Sequence, residues 1–196
     1  RLTAEEIRDQ ALHVSGLLSD KMFGPGVMPP QPGGIWEHKY LGNLWKTSEG
    51  EDRYRRAIYT YLKRTSPYPS MITFDAGSRE VCLVRRSTTN TPLQALVTMN
   101  DPVYLEAAMN LAKLHQDQEI KTAIIEMYQK ATYRKADEDK LQYLMRLYEE
   151  AKSTFENDPY QLEGFFGMDQ STDVKTASLA IIANAIMNLD EFLTHG

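Results

Sequence analysis

A single cysteine, Cys82, among 196 residues leaves no internal disulfide and no Cys-x-x-Cys pair for a metal or a haem. Histidine is sparse too. His13, His38, His115 and His195 lie far apart, none in His-Glu-x-x-His spacing, so each reads as structural before it reads as a ligand; no metal site is expected. His13 follows Asp9 by four residues, which on a helix makes an ion pair. No apolar run approaches the roughly 20 residues of a membrane-crossing helix. There is no Gly-x-Ser-x-Gly elbow. Cys82 lies in the apolar run VCLV, where a thiol is expected to be buried and inert. The glycines at 24, 26, 33 and 34 fit no nucleotide fingerprint, and the prolines among them remove the N–H groups of a phosphate cradle. The acidic run Asp137, Glu138, Asp139 lacks EF-hand spacing and suits a helix N-terminus. The sequence begins at Arg1, not Met, enters a predicted helix almost at once, and its first residues show no charged, apolar or cleavage region of a leader. The chain is expected to be cut from a longer polypeptide.

What is present is ordinary in bulk: 42% hydrophobic and 25% charged residues, enough for one domain over 1–196 that buries roughly 70% of its unfolded-chain surface. The net charge of −5 is uneven. Residues 53–86 carry eight Arg/Lys against Asp75 and Glu80, a local +6, which leaves −11 on the rest. Such a strip can meet nucleic acid, but with an acidic body and no nucleic-acid motif the favoured reading is that it neutralises the domain's own carboxylates.

Periodicity and capping give an all-α domain. Thr3 with Glu6 is a capping box before Ile7, Ala11, Val14 and Leu18, which predicts a helix over about 4–20. Residues 24–34 hold four Pro and four Gly, a long loop that leads into Trp36, Tyr40 and Trp45. Residues 53–65 fit a helix or a strand, and the helix is preferred. Thr91-Pro92 and Asp101-Pro102 each place a capping side chain before proline at the first helical position. They open helices over 92–99 and 102–115. Further helices follow from Ile120, from Asp137 as a cap, and over the run that carries Leu179, Ile182, Ala183, Ile186, Leu189 and Leu193. Between them, 157–172 is a polar loop with Phe165, Phe166 and Met168. The fold class is all-α, an irregular multi-helix domain with one long Pro/Gly-rich loop.

The richest chemistry lies in 74–101, with Asp75, Arg79, Glu80, Arg85, Arg86, Asn90, Gln94 and Asp101. As a site, these make a polar wall whose carboxylates and guanidinium forks bind hydroxyls or anions. Asp75 with Glu80 or Asp101 offers paired carboxylates for polysaccharide hydrolysis or lysis, given 5–10 Å across one cleft. As structure, the arginines pair with those acids while Asn90 and Asp101 cap elements, and this reading is somewhat favoured. Trp36, Tyr40 and Trp45 suit stacking against sugar rings, or they staple a loop to the helices.

Several strings resemble one family: AEEIRD and VSGLLS (within 4–19), QPGGIWE (31–37), YRRAIYTYLKRTSPYPSM (54–71), FDAGSREVC (74–82), RRSTTNTPLQAL (85–96), NDPVYLEAA (100–108) and NLDEFLT (188–194). It is the uncharacterised C-terminal domain of large planctomycete and Bacteroidetes proteins that also carry a planctomycete-type cytochrome c domain. The resemblance implies export to the periplasm or cell surface, and a haem held only by a separate upstream domain, with no cofactor in this chain. It also implies upstream domains of the same polypeptide as partners and supplies no catalytic residues. Gly77 stands where many relatives have Pro, and Pro30 where they have Tyr. Two functions remain open: a module that binds glycan or docks a neighbouring domain, and an enzyme acting on polysaccharide.

Overall fold

The computed structural model describes residues 1–33, 45–63, 66–77, 82–158, 160–161 and 173–194. Thr3 opens helix α1 (Ala4–Val14) with the expected capping box: the Glu6 N–H donates to Thr3 Oγ1 at 3.3 Å and the Thr3 N–H to Glu6 Oε2 at 2.8 Å. The helix ends at Val14 rather than near residue 20. Gly16 adopts φ +74°, which lets its N–H reach the His13 carbonyl and the Leu17 N–H reach that of Leu12. This left-handed cap closes the helix because glycine carries no Cβ penalty there.

Over the described residues 15–33 and 45–63 the backbone is largely irregular, and the helix expected over 53–65 gives way to two tight 3-10 turns, Gly50–Tyr54 and Ala57–Tyr59. This stretch pairs instead with the preceding loop. The Ser19 N–H donates to Tyr54 O, Val27 N–H to Tyr59 O and Tyr61 N–H to Val27 O, through isolated parallel bridges at Ser19–Arg55 and Val27–Thr60. Two buried guanidinium groups take five further carbonyls. Arg8 of α1 donates to Arg55 O at 2.7 Å and Arg53 O at 3.1 Å. Arg55 in turn donates to the carbonyls of Lys21, Pro25 and Phe23, its charge 3.8 Å from the Tyr59 ring centre.

The rest is helical: α2 (Pro69–Thr73), α3 (Pro92–Asn100), α4 (Pro102–Leu114), α5 (Ile120–Thr132), α6 (Glu138–Asn157), α7 (Val174–Met187) and α8 (Asp190–Leu193). Thr91 and Asp101 cap as their sequence implies, with Pro at the first position of α3 and α4. Asp137 accepts from the Lys140 N–H at 2.7 Å to open α6. The single terminal helix expected from the sequence is divided, because Leu189 is extended between α7 and α8. The architecture is all-α, and no strand is formed among the described residues.

Helix α7 is the centre. Leu179, Ile182, Ile186 and Met187 are buried on one side and Ala177, Ala180 and Ala183 on others, as expected of a helix apolar all round. It packs most extensively on α4, then on α6 and α5. Tyr104, Leu111, Ile124, Met127, Leu144 and Tyr148 meet it in one continuous core.

Replacing Arg8 by Met keeps volume but leaves the Arg53 and Arg55 carbonyls without a donor. It is expected to cost about 2–4 kcal/mol, measured by urea unfolding. Amide exchange at Ser19 and Val27 should accelerate beyond that global loss.

Candidate functional site

Of the residues the sequence singles out, Trp36, Tyr40, Arg79 and Glu80 lie outside the described residues, as do Phe165, Phe166 and Met168. The structure brings Asp75, Arg86 and Gln94 together. Asp75 follows α2 with φ +60°, a left-handed conformation that Asp tolerates better than most residues. Its Oδ2 accepts from the Thr89 N–H at 2.7 Å and the Thr89 hydroxyl at 2.8 Å. Gln94, buried in the first turn of α3, accepts from the Thr91 N–H, while its Nε2 donates to Thr73 O at 2.9 Å and Thr89 Oγ1 at 3.1 Å. Asp75 and Gln94 therefore staple the 87–91 loop to the end of α2.

Arg86 donates to Glu5 at 2.7 Å. It stands between two small clefts. One is lined by Arg1, Thr3, Asp75, Thr88 and Gln94, the other by Glu5, Thr60, Met71 and Gly77. Each has a volume of about 20 Å³, space for one water, against the roughly 300 Å³ at which ligand pockets begin. Arg85 and Asn90 are exposed on the surface and share neither cleft; the cap of α3 is Thr91, not Asn90.

Other expectations are corrected. Cys82 is exposed rather than buried, and so are Leu83 and Val84 beside it; the apolar run faces outward. Asp9 does not pair with His13 but binds the Ala57 N–H at 2.6 Å and Arg56 at 3.3 Å. Much of the basic strip serves the domain's own acids, as Arg53 meets Glu106 at 3.0 Å and Arg86 meets Glu5. Trp45 stacks on buried Tyr68 with ring centres 5.7 Å apart and donates to Pro29 O at 2.8 Å, so this tryptophan staples the Pro/Gly loop to the core. Among the described residues no three His, Cys, Asp or Glu side chains come together as a metal site.

Asp101 is the one candidate carboxylate in an unusual setting, and it is not at Arg86. It caps α4 through the Val103 N–H at 3.0 Å and is buried. Burial pushes its carboxyl up to about 6, against the opposing pull of that N–H and of Arg8. Tyr68 and Tyr104 are buried in the same neighbourhood. Burial first, then the Asp101 charge, raises both phenols, and the Tyr68 hydroxyl donates to Pro30 O at 2.6 Å. Tyr104 lies on the apolar face that the spacing within 102–115 implies, whereas sequence reading missed Arg8 and Tyr68 as members of this knot, because a lone Arg in α1 and a tyrosine between two prolines carry no signal of burial. Its hydrogen bonds bind Arg53, Arg55 and Pro30 to the helices, so its evident work is structural.

Matched against protein families, residues 1–148 fit the PSD1 model, described as a protein of unknown function (DUF1553). The chain belongs to this family. The match ends inside α6, while α7, the centre of the core, lies beyond it and packs on α4 within it. No curated protein and no solved structure matches the chain.

The raised Asp101 carboxyl fixes a sign. Its folded pKa lies above the unfolded value of about 3.9, so its contribution to stability is whole below that value and is lost as pH rises through about 6. Asp101→Asn keeps a capping acceptor without the titration. Relative to that variant, the native chain should lose about 2–3 kcal/mol between pH 3 and pH 7, measured by chemical denaturation across the range.

Proposed function

We propose that this domain is a non-catalytic docking module, whose partner is a protein surface with an apolar centre and an acidic rim. The observation that carries the reading is the inverted polarity of α3. Its buried residues are Gln94 and Thr98, whereas Leu93 and Leu96 are 57% and 55% exposed and Met99 is also exposed. Ile72, Leu83 and Val84 are exposed in the adjoining segments. Isolated exposed leucines need no explanation, but an apolar stripe on a helix whose fully buried residues are both polar, with Val97 alone packed part-buried on the core, suits a covered surface. Arg85, exposed and without an ion pair among the described residues, adds a cationic edge, which favours carboxylates opposite.

The family resemblance makes a neighbouring domain of one exported, cytochrome-bearing polypeptide the first partner to test. The glycan reading has less support. Trp45 faces the core, the Arg86 clefts hold about one water each, and polysaccharide chemistry at Asp75 lacks room for a sugar ring.

A cysteine at position 96 tests the surface directly. In Leu96→Cys with Cys82→Ser, maleimide labelling should be at least about tenfold slower in the full polypeptide than in the isolated domain. That factor corresponds to about 1.4 kcal/mol of docking. Leu93→Lys added to this background should restore fast labelling without lowering the melting temperature of the domain. Equal labelling rates in both contexts would sink the docking reading.

A further inference from the structure

On a separate surface, a cleft of about 290 Å³ opens between the start of the chain, α1, the end of α5 and α8, near the lower limit for a small-ligand pocket. Its walls are fixed. Gln10 of α1 donates to both Ala131 O and Phe192 O, and the Leu2 N–H donates to Leu193 O. At its rim stands Tyr133, which closes α5 with φ +56°. An L-residue in that conformation is strained where glycine would not be. Packing does not return this: Tyr133 is 76% exposed, its N–H closes the helix on Gln129 O, and its side chain makes no hydrogen bond or ring contact among the described residues. A strained, unpacked aromatic at a cleft is an outlier of the sort that accompanies binding sites.

The polar lining is balanced. Arg134 has no ion pair among the described residues, and it stands at the C-terminus of α5, which carries roughly half a negative charge. Glu191 is engaged by Lys140, which holds its carboxylate below the usual range. Thr194 lines the same wall. Donors and acceptors therefore face a cleft with little net charge, beside one exposed aromatic face. Those are the terms on which a neutral pyranose is recognised, its C–H face on the ring and its hydroxyls on the edge.

We infer that this cleft binds one neutral pyranose unit, stacked on Tyr133 and held at its hydroxyls by Arg134 and Glu191. The site is independent of α3, and its failure leaves the docking reading untouched.

The test is amide chemical-shift titration with methyl glucoside, N-acetylglucosamine and, as the anionic arm, glucuronate. A neutral pyranoside should shift the amides of Ala131, Tyr133, Arg134 and Thr194, with affinity about tenfold weaker in Tyr133→Ala. Tyr133→Gly separates function from fold: its melting temperature should rise by about 2–4 °C while the shifts disappear. Shifts with glucuronate alone, shifts unchanged in Tyr133→Gly, or no shifts with any sugar would each overturn the proposal.

Discussion

The described backbone between α1 and α2 depends on where two guanidinium groups put their hydrogens. Within residues 15–33 and 45–63 the described backbone is largely irregular, and buried carbonyls there that no helix serves must find donors. Arg8, fixed on α1, takes those of Arg53 and Arg55. That positions Arg55, whose own side chain takes those of Lys21, Phe23 and Pro25. The order is nested. A loop with four prolines cannot donate to its neighbours at those positions, so a side chain with five N–H groups does the work that a ladder does elsewhere. Trp45 on Pro29 O and Tyr68 on Pro30 O extend the same device along the loop. Substituting Lys at either arginine would supply charge without the planar fork, and the two are not equivalent here.

The helices were legible because capping chemistry is local. Thr3 with Glu6, Thr91-Pro92, Asp101-Pro102 and Asp137 each declare a helix start within four residues, and the structure starts a helix at each. Helix ends were less legible. Leu17 and Leu18 continue the apolar period of α1, and only the left-handed Gly16 stops it; a single glycine in a periodic run is ambiguous until the carbonyls it serves are known. The 53–65 segment failed for a tertiary reason. Its backbone bonds are made to residues 19 and 27, some thirty positions away, and no window of the sequence contains both partners.

The candidate site was half legible. Asp75, Arg86 and Gln94 do converge, as the density of polar side chains in 74–101 implied. Their bonds are nonetheless spent on Thr89, Glu5, Thr73 and the capping box, which leaves clefts of one water. Asp101 was legible as a cap and not as a buried acid, since its burial comes from α1 and the aromatic residues around it. Cys82 shows the converse error. An apolar run reads as core, but outward-facing Leu83 and Val84 make it surface.

The inverted helix α3 ties the fold to its proposed use. It is attached by directional bonds: Gln94 to Thr73 O, Asn184 of α7 to Thr98 O, and the Thr98 hydroxyl to Asn188 just past the end of α7. Such bonds fix its rotation, so Leu93 and Leu96 are held outward rather than free to roll into the core. Leu93, Leu96 and Met99 are about half exposed, so covering them with a partner would contribute roughly 1 kcal/mol each, a few in total. Association of free proteins costs an estimated 4–15 kcal/mol or more in lost freedom, so a stripe this short is too weak to hold an untethered partner by itself. A partner joined by the same polypeptide faces an effective concentration in the millimolar range, and the same few kcal/mol then suffice. The size of the apolar stripe thus argues for a tethered neighbour over a free ligand.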